Sequence, residues 1–342
     1  GALFKPCFCG PCFGAGDVPG NDALSIRHTT RNFPNREGSK PASGQLSGVM
    51  LMDARSIAAT ARNHGVLTAA TDIDYTMPAP HAEAFDGGVY QKRCYFGFGK
   101  ADPSAELRFG PNITEWPKIP ALPENLLMEL ACVIHDPVTT TDELIPSGET
   151  SSYRSNPLKL ATFALSRRDP QYVGRANAIA ALESVRKDGT LDAETAALIK
   201  GCGGTAENTG IGSVIFANKP GDGSAREQAA SCQRVLGGCA NICYEYATKR
   251  YRSNCINWGM LPFHIDADVK FDYEPGDRIF VPQVRAAVEA DAKDVPATVI
   301  RKDGTKLPLL LHLPELTADE RQILLDGCLM NYYAANHAKE NA

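Results

Sequence analysis

The stretch GDGSAREQAAS, residues 221–231, follows a strand-like run and leads into an alanine-rich run that predicts a helix. Ser224 precedes Glu227 by three residues, which is the pattern of a capping box. In such a box the serine hydroxyl accepts from the amide of Glu227, and the carboxylate reaches back to the serine. The same turn places Ser224 and Arg226 at a helix N-terminus, where free amides favour negative charge. The stretch therefore fits either a structural cap or a catalytic serine.

The residues around this turn predict an α/β domain over residues 127–342, because strand-like and helical patterns alternate. A capping box of Thr317 and Glu320 predicts a C-terminal helix to about Ala335. Two of the strands are joined by the hairpin signal Asp303-Gly304. The expected strands are MELACVIHD (128–136), SVIFANKPG (213–221), RIFVP (278–282), PATVI (296–300) and LPLLLHL (307–313), and the expected helices cover about 157–166, 175–186 and 192–200.

A second, N-terminal domain is expected over residues 1–100, since 342 residues exceed the usual size of one domain. Residues 24–41 predict a strand that runs into a polar loop. Asp53 is a suitable N-cap for a helix that ends at Gly65. Five prolines between residues 103 and 123 predict an extended linker over 101–126.

Composition restricts the class of protein. The net charge is -5 and no basic block occurs, so nothing favours a nucleic-acid surface. No apolar run is long enough to span a membrane. Eleven cysteines without a secretory signal predict a reducing, cytoplasmic environment. Because the chain starts at Gly1 rather than at methionine, we expect a cropped or processed chain.

Cys9-Gly-Pro-Cys12 is the first candidate site. A C-x-x-C pair in a glycine-rich loop serves as a dithiol, as half of a zinc site or as part of an iron–sulfur site. Cys232, Cys239 and Cys243 lie on or beside a predicted helix with wide gaps. They are expected to pack in the core.

Four arginines form the second candidate site. Arg31 and Arg36 flank NFPN, and two guanidinium forks five residues apart can grip carboxylates in bidentate fashion. Arg154 and Arg226 each stand beside small residues that let an anion approach. For an isolated arginine in such a loop, plain solvent exposure is the commoner outcome.

Together these motifs resemble the aconitase family. The resemblance rests on CGPCFGAGD, TTRNFPNREG, TTTDELIPSG with YRSNP, and GDGSAREQAA with YRSNCINWGMLPF, in this order along nearly the whole chain. It implies the end of an α/β/α cluster-bearing domain, followed by a swivelling β/β/α domain. It also implies a hydro-lyase that moves water across a double bond of a di- or tricarboxylate.

The resemblance implies a role for each motif residue. Cys9 and Cys12 would be two of three thiolates of a [4Fe-4S] cluster, with the third expected upstream of Gly1. Ser224 would be the catalytic base. The substrate carboxylates would be held by Arg31, Arg36, Arg154 and the backbone of Ala225, with Arg226 assisting Ser224. The base needs preorganised donors because a serine alkoxide is unstable in water.

Departures from the family pattern concern the substrate. Thr30, Glu143, Ala225 and Gln228 replace residues that are usual in the family, so a hydroxy acid related to citrate is as suitable as citrate itself. The chain is expected to be inactive without an N-terminal half, supplied by the same or another chain. One alternative is a non-catalytic RNA-binding relative without a cluster. Another is a zinc site at Cys9 and Cys12.

Overall fold

The computed structural model describes residues 20–28, 44, 46–74, 87–88, 97–106, 108–110, 113–146, 150 and 153–340. Its first part contains two parallel strands, β1 (Ala23–Arg27) and β2 (Ser47–Leu51), and helix α1 (Ala54–Arg62). Asp53 caps α1 as predicted, because its carboxylate accepts from the first-turn amides. The helix ends three residues before its predicted end.

The proline-rich segment up to residue 124 has neither helix nor strand among its described residues. This fits its prolines, which lack an amide donor. Strand β3 (Asn125–Ile134) then begins inside the range predicted as linker. Its first two residues already pair with the neighbouring strand.

Seven strands close into a barrel. Besides β3, they are β5 (Thr209–Ala217), β7 (Gly238–Cys243), β8 (Leu261–His264), β9 (Arg278–Val281), β10 (Asp294–Ile300) and β11 (Lys306–His312). Around the barrel their order is β10, β11, β8, β7, β5, β3 and β9. Strands β3, β5, β7 and β8 run parallel to one another, and antiparallel pairs complete the ring. The five strands expected from the sequence are confirmed as β3, β5, β9, β10 and β11.

Helices alternate along the chain with the barrel strands, so the chain has the mixed α/β character that the sequence predicts. The connections between parallel strands carry most of them, as crossovers require. The helices are α2 (Thr141–Leu144), α3 (Pro157–Ala161), α4 (Tyr172–Lys187), α5 (Ala193–Gly201), α6 (Arg226–Val235), α7 (Lys249–Asn257), α8 (Val284–Glu289), α9 (Ala318–Asp326) and α10 (Leu329–Glu340).

Strands β3, β5 and β7 are buried on both faces, which gives two cores. Along β3, Leu126, Met128 and Leu130 belong to the core inside the barrel. Leu127 and Ala131 belong to a second core between the barrel and the helices. This alternation is the two-residue period of a strand. The second core therefore fixes where the crossover helices lie.

Two helix predictions need correction. The expected single C-terminal helix is two helices, because Gly327 takes a left-handed conformation and ends α9 at Asp326. The capping box of Thr317 and Glu320 is confirmed at the start of α9. The helix expected over 157–166 ends at Ala161.

In the described ranges, no helix combines the length and the apolar composition that crossing a bilayer requires.

The interior of the barrel should dominate stability. Phe216 is fully buried and stacks on Phe271, with ring centroids 3.8 Å apart. We expect Phe216→Ala to lower the free energy of unfolding by about 3–5 kcal/mol, since it removes packing and leaves a cavity. Urea denaturation measures this. Phe98→Ala is the control, because Phe98 is fully exposed; equal midpoints for the two variants would contradict the assignment of the core.

Candidate functional site

The site is built where the parallel strands of the barrel end. After β3 the chain forms the short strand β4 (Thr139–Thr140), and after β5 it forms β6 (Pro220–Asp222). These two short strands pair in parallel. Carboxyl ends of parallel strands are the usual place for ligand sites in α/β folds. The pairing brings the motifs TTTDEL and GDGSAR together.

Two glycines give the GDGSAR turn its shape. Gly221 has φ +95°, and a Cβ there would lie 2.3 Å from ring atoms of Tyr251. Gly223 has φ +117°, and a Cβ there would lie 2.4 Å from Thr141 Oγ1. Only glycine fits both the conformation and the space. The turn is thereby wedged between α2 and α7, with Ser224 directly after it.

The capping box expected of Ser224 and Glu227 does not form. Helix α6 begins at Arg226, its N-cap residue is Ala225, and no side chain caps it. The carboxylate of Glu227 instead accepts from the indole N–H of Trp258, at 3.1 Å. The side chain of Glu227 reaches away from its own helix N-terminus. The structural-cap interpretation of Ser224 is therefore wrong.

The amides that follow Ser224 are free donors among the described residues. The amides of residues 225–228 donate to no acceptor within the described part of the chain, as the first turn of a helix leaves them. Ser224 is exposed. Arg226 is half-buried, and its Nε donates to Thr248 Oγ1 at 3.2 Å. Together the amides, the helix dipole and the guanidinium make this turn favourable for an anion.

A closed ring of hydrogen bonds includes Tyr251, whose aromatic ring packs on Gly221 of the turn. Tyr251 donates to Asn241 Oδ1 (2.8 Å), Asn241 donates to Gln233 Oε1 (2.9 Å), and Gln233 donates to the Tyr251 hydroxyl oxygen (2.9 Å). All three side chains are buried. Burial raises the pKa of Tyr251 well above its usual range, so its hydroxyl stays a donor. The ring joins α6, β7 and α7.

The protein packed around the carboxyl group of Glu227 changes its pKa. Although the residue keeps exposed surface, burial of its carboxyl raises its pKa, while the hydrogen bond from Trp258 acts in the opposite direction. The raised pKa agrees with a carboxyl that is withdrawn from the amides of its own helix.

Arg154 lies in the turn that precedes α3, and it is half-buried. Helix α3 packs against α6. The neighbouring Asn156 caps α3 and also accepts from Thr114 Oγ1 at 3.2 Å, so the linker touches this turn. Arg154 thus precedes a helix that packs on the helix of the Ser224 turn.

The other expected site residues, Cys9, Cys12, Arg31 and Arg36, lie outside the described residues. Within the described part, no three His, Cys, Asp or Glu side chains come together to hold a metal ion. Cys232 on α6, and Cys239 and Cys243 on β7, are buried as predicted. Burial raises the pKa of the Cys239 thiol to about 12, which disfavours the thiolate that a metal ligand needs.

The segment that contains the Ser224 turn is similar to a known family domain. Residues 188–268 match the model of the aconitase C-terminal domain. This match confirms the aconitase-family resemblance for the segment that it covers, which contains GDGSAREQAA and YRSNCINWGMLPF. The matched segment extends from the end of α4 past β8 and includes the Ser224 turn, α6 and α7.

Similarity also extends to a solved structure. The 3-isopropylmalate dehydratase (leuD) from Methanocaldococcus jannaschii is similar over 64% of this chain and 98% of that chain. The sequence identity is 20% and the TM-score is 0.40. No curated protein matches the chain.

Several residues around the Ser224 turn were missed by the sequence analysis. Thr140 and Glu143 close a capping box on α2, and their T-x-x-E spacing is a signal that could have been used. This gives a structural reason for Glu143, which replaces a histidine usual in the family. Tyr251 and Trp258 stand in the motif YRSNCINWGMLPF, but no local spacing indicates their roles, because their hydrogen-bond partners are distant in sequence.

The buried ring around Tyr251 generates a prediction for stability. Tyr251→Phe keeps the aromatic ring that packs on Gly221 but removes the donor to Asn241 Oδ1 and one of the two acceptors of Gln233 Nε2, which still donates to the carbonyl of Ala229. We expect the free energy of unfolding to fall by about 1–3 kcal/mol. Thermal or urea unfolding measures this, with Tyr333→Phe at an exposed position as the control. A loss no larger than that of the control would show that the ring contributes nothing.

Proposed function

We propose that this chain supplies the proton-abstracting side of an aconitase-type hydro-lyase. Such an enzyme moves water reversibly across a carbon–carbon double bond of a hydroxy di- or tricarboxylate. The proposal is supported by the match of residues 188–268 to the aconitase C-terminal domain. It is also supported by the turn that this segment contains.

The observation that carries the proposal is the uncommitted Ser224. Its side chain caps no helix, although the local sequence provides the partner for a capping box. A base must be free to take a proton, and a hydroxyl committed to a cap is not. The four amides that follow it, together with Arg226, stabilise negative charge on the serine oxygen. Ser224 would remove the proton next to a carboxylate.

Binding of the substrate would use the same donors. One carboxylate fits the amides at the start of α6, including that of Ala225, and the guanidinium of Arg226. The family resemblance assigns Arg154, in the turn before α3, and Arg31 and Arg36 to further carboxylates. Because the amides are fixed by the helix, they need no reorganisation when the substrate binds.

The family resemblance assigns a [4Fe-4S] cluster to Cys9, Cys12 and a third thiolate of the complete enzyme. Bound there, the cluster would supply an open iron site as a Lewis acid for the leaving hydroxyl. Burial raises the pKa of Cys132 on β3 and of Cys255 on α7, each to about 12, which disfavours the thiolates that a cluster needs.

The barrel would act as the swivelling domain of the enzyme. It would close over the cluster-bearing part through the proline-rich linker, and the rest of that part would come from the same or another chain. Turnover therefore requires the assembled enzyme.

Ser224→Ala in the assembled, anaerobically reconstituted enzyme tests the proposal. We expect turnover of hydroxy di- and tricarboxylates to fall on the order of 10³-fold, since loss of a general base costs this much. Ultraviolet absorbance of the double bond follows the reaction, and visible absorbance reports the cluster, which should be unchanged.

Ser184→Ala is the matched control, because Ser184 is exposed on α4. If Ser224→Ala turns over substrate at the wild-type rate, Ser224 is not the base. A colourless, inactive assembly that shifts RNA at moderate salt would favour the non-catalytic alternative. Zinc found in place of iron by elemental analysis would also contradict the cluster assignment.

A further inference from the structure

The two tryptophans of the chain meet beside the Ser224 turn. Trp116 comes from the linker, and Trp258 is the C-cap of helix α7. Their ring centroids are 4.4 Å apart, with 38° between the ring planes, and both residues are half-buried. The indole N–H of Trp258 donates to Glu227 Oε1 at 3.1 Å. A chain of contacts thus connects the linker to the first turn of α6.

Glu227 stands where a capping-box glutamate belongs. In a closed box its carboxylate would accept from the amide of Ser224, and the Ser224 hydroxyl would accept from the amide of Glu227. The observed Ala225 has ψ 47°, whereas a helical residue has ψ of about -42°. Closing the box would turn Ala225 into a helical residue and would draw Glu227 away from Trp258.

Among the residues that the structure describes, two other helices begin with a closed box of this kind. Thr140 with Glu143, and Thr317 with Glu320, each form both hydrogen bonds of the box. Neither of those two glutamates accepts from an indole in the described structure. Glu227 has the same spacing and differs by its bond to Trp258. The competing indole donor therefore distinguishes the open box from the closed ones.

We infer that Trp258 holds the capping box of α6 open and so keeps the Ser224 hydroxyl and the first amides of the helix available. Trp258 and Glu227 are positioning residues, because they act on the site through the start of α6. Trp116 covers the Trp258 indole from the linker side, so movement of the linker away from this position would expose the indole. We call the hydrogen bond from Trp258 to Glu227 the indole latch. The functional part of this inference rests on the proposed role of Ser224.

Amide hydrogen exchange by NMR on the full chain tests the latch directly. Trp258→Phe keeps an aromatic ring and removes the N–H donor. We expect the box to close, which should slow exchange of the Ser224 and Glu227 amides by at least about fivefold, because hydrogen-bonded amides exchange only on opening. The amides of Glu143 and Glu320 are the internal controls and should not change.

A second variant separates the latch from general loss of stability. Adding Ser224→Ala to Trp258→Phe should restore fast exchange at Glu227, since the capping hydroxyl is gone. Unchanged exchange of the Ser224 and Glu227 amides in Trp258→Phe would overturn the inference. Slow exchange of the Glu227 amide in the double variant, which lacks the Ser224 hydroxyl, would also overturn it.

Fluorescence provides a measurement that does not depend on Trp258→Phe folding. In Trp116→Phe, Trp258 is the remaining tryptophan of the chain. Adding Glu227→Ala should shift the Trp258 emission, because its indole loses its acceptor; identical spectra would contradict the bond.

In the assembled enzyme, Trp258→Phe should lower turnover, and adding Glu227→Ala should recover part of it. Such a reversal is not expected from a merely destabilised helix, and its absence would count against the latch. If exchange follows the latch but Ser224→Ala keeps wild-type turnover, only the proposed function fails.

Discussion

The contact between Tyr251 and Gly221 determines how the site is assembled. The aromatic ring fills the space that a side chain at residue 221 would occupy. The hydroxyl of the same tyrosine closes a buried ring with Gln233 and Asn241. A buried polar group without a hydrogen-bond partner is costly. The ring of hydrogen bonds therefore has one arrangement, in which Tyr251, Gln233 and Asn241 are partners of one another. That arrangement fixes α6 and α7 relative to β7, and it fixes the turn that carries Ser224.

From this constraint the rest of the site follows. Because α7 is held close, Trp258 at its C-terminal end reaches the first turn of α6 and binds the carboxylate of Glu227. Thr248 at the start of α7 accepts from Arg226 and donates to the carbonyl of Gly221. One helix thus orients both charged side chains of the first turn of α6. The amides of that turn stay free, which is the property that the proposed chemistry uses.

Local patterns in the sequence predicted much of this fold. Strands such as β10 and β11, with the Asp303-Gly304 turn between them, are encoded by adjacent residues. Closure of the barrel was not predictable in this way, because β9 pairs with β3 across about 150 residues. The Ser224 box failed for a similar reason. A local rule proposed the cap, and a tertiary contact 31 residues away replaced it.

The central claim is that an anionic substrate binds to the start of α6 with Ser224 beside its reacting carbon. A crystal structure of the assembled enzyme with tricarballylate, a saturated tricarboxylate, tests it most directly. The account predicts one carboxylate on Arg226 and the amides that follow Ser224, with Ser224 Oγ roughly 3–3.5 Å from a carbon of the ligand. A ligand bound elsewhere, with Ser224 hydrogen-bonded to the Glu227 amide in a closed capping box, would contradict it.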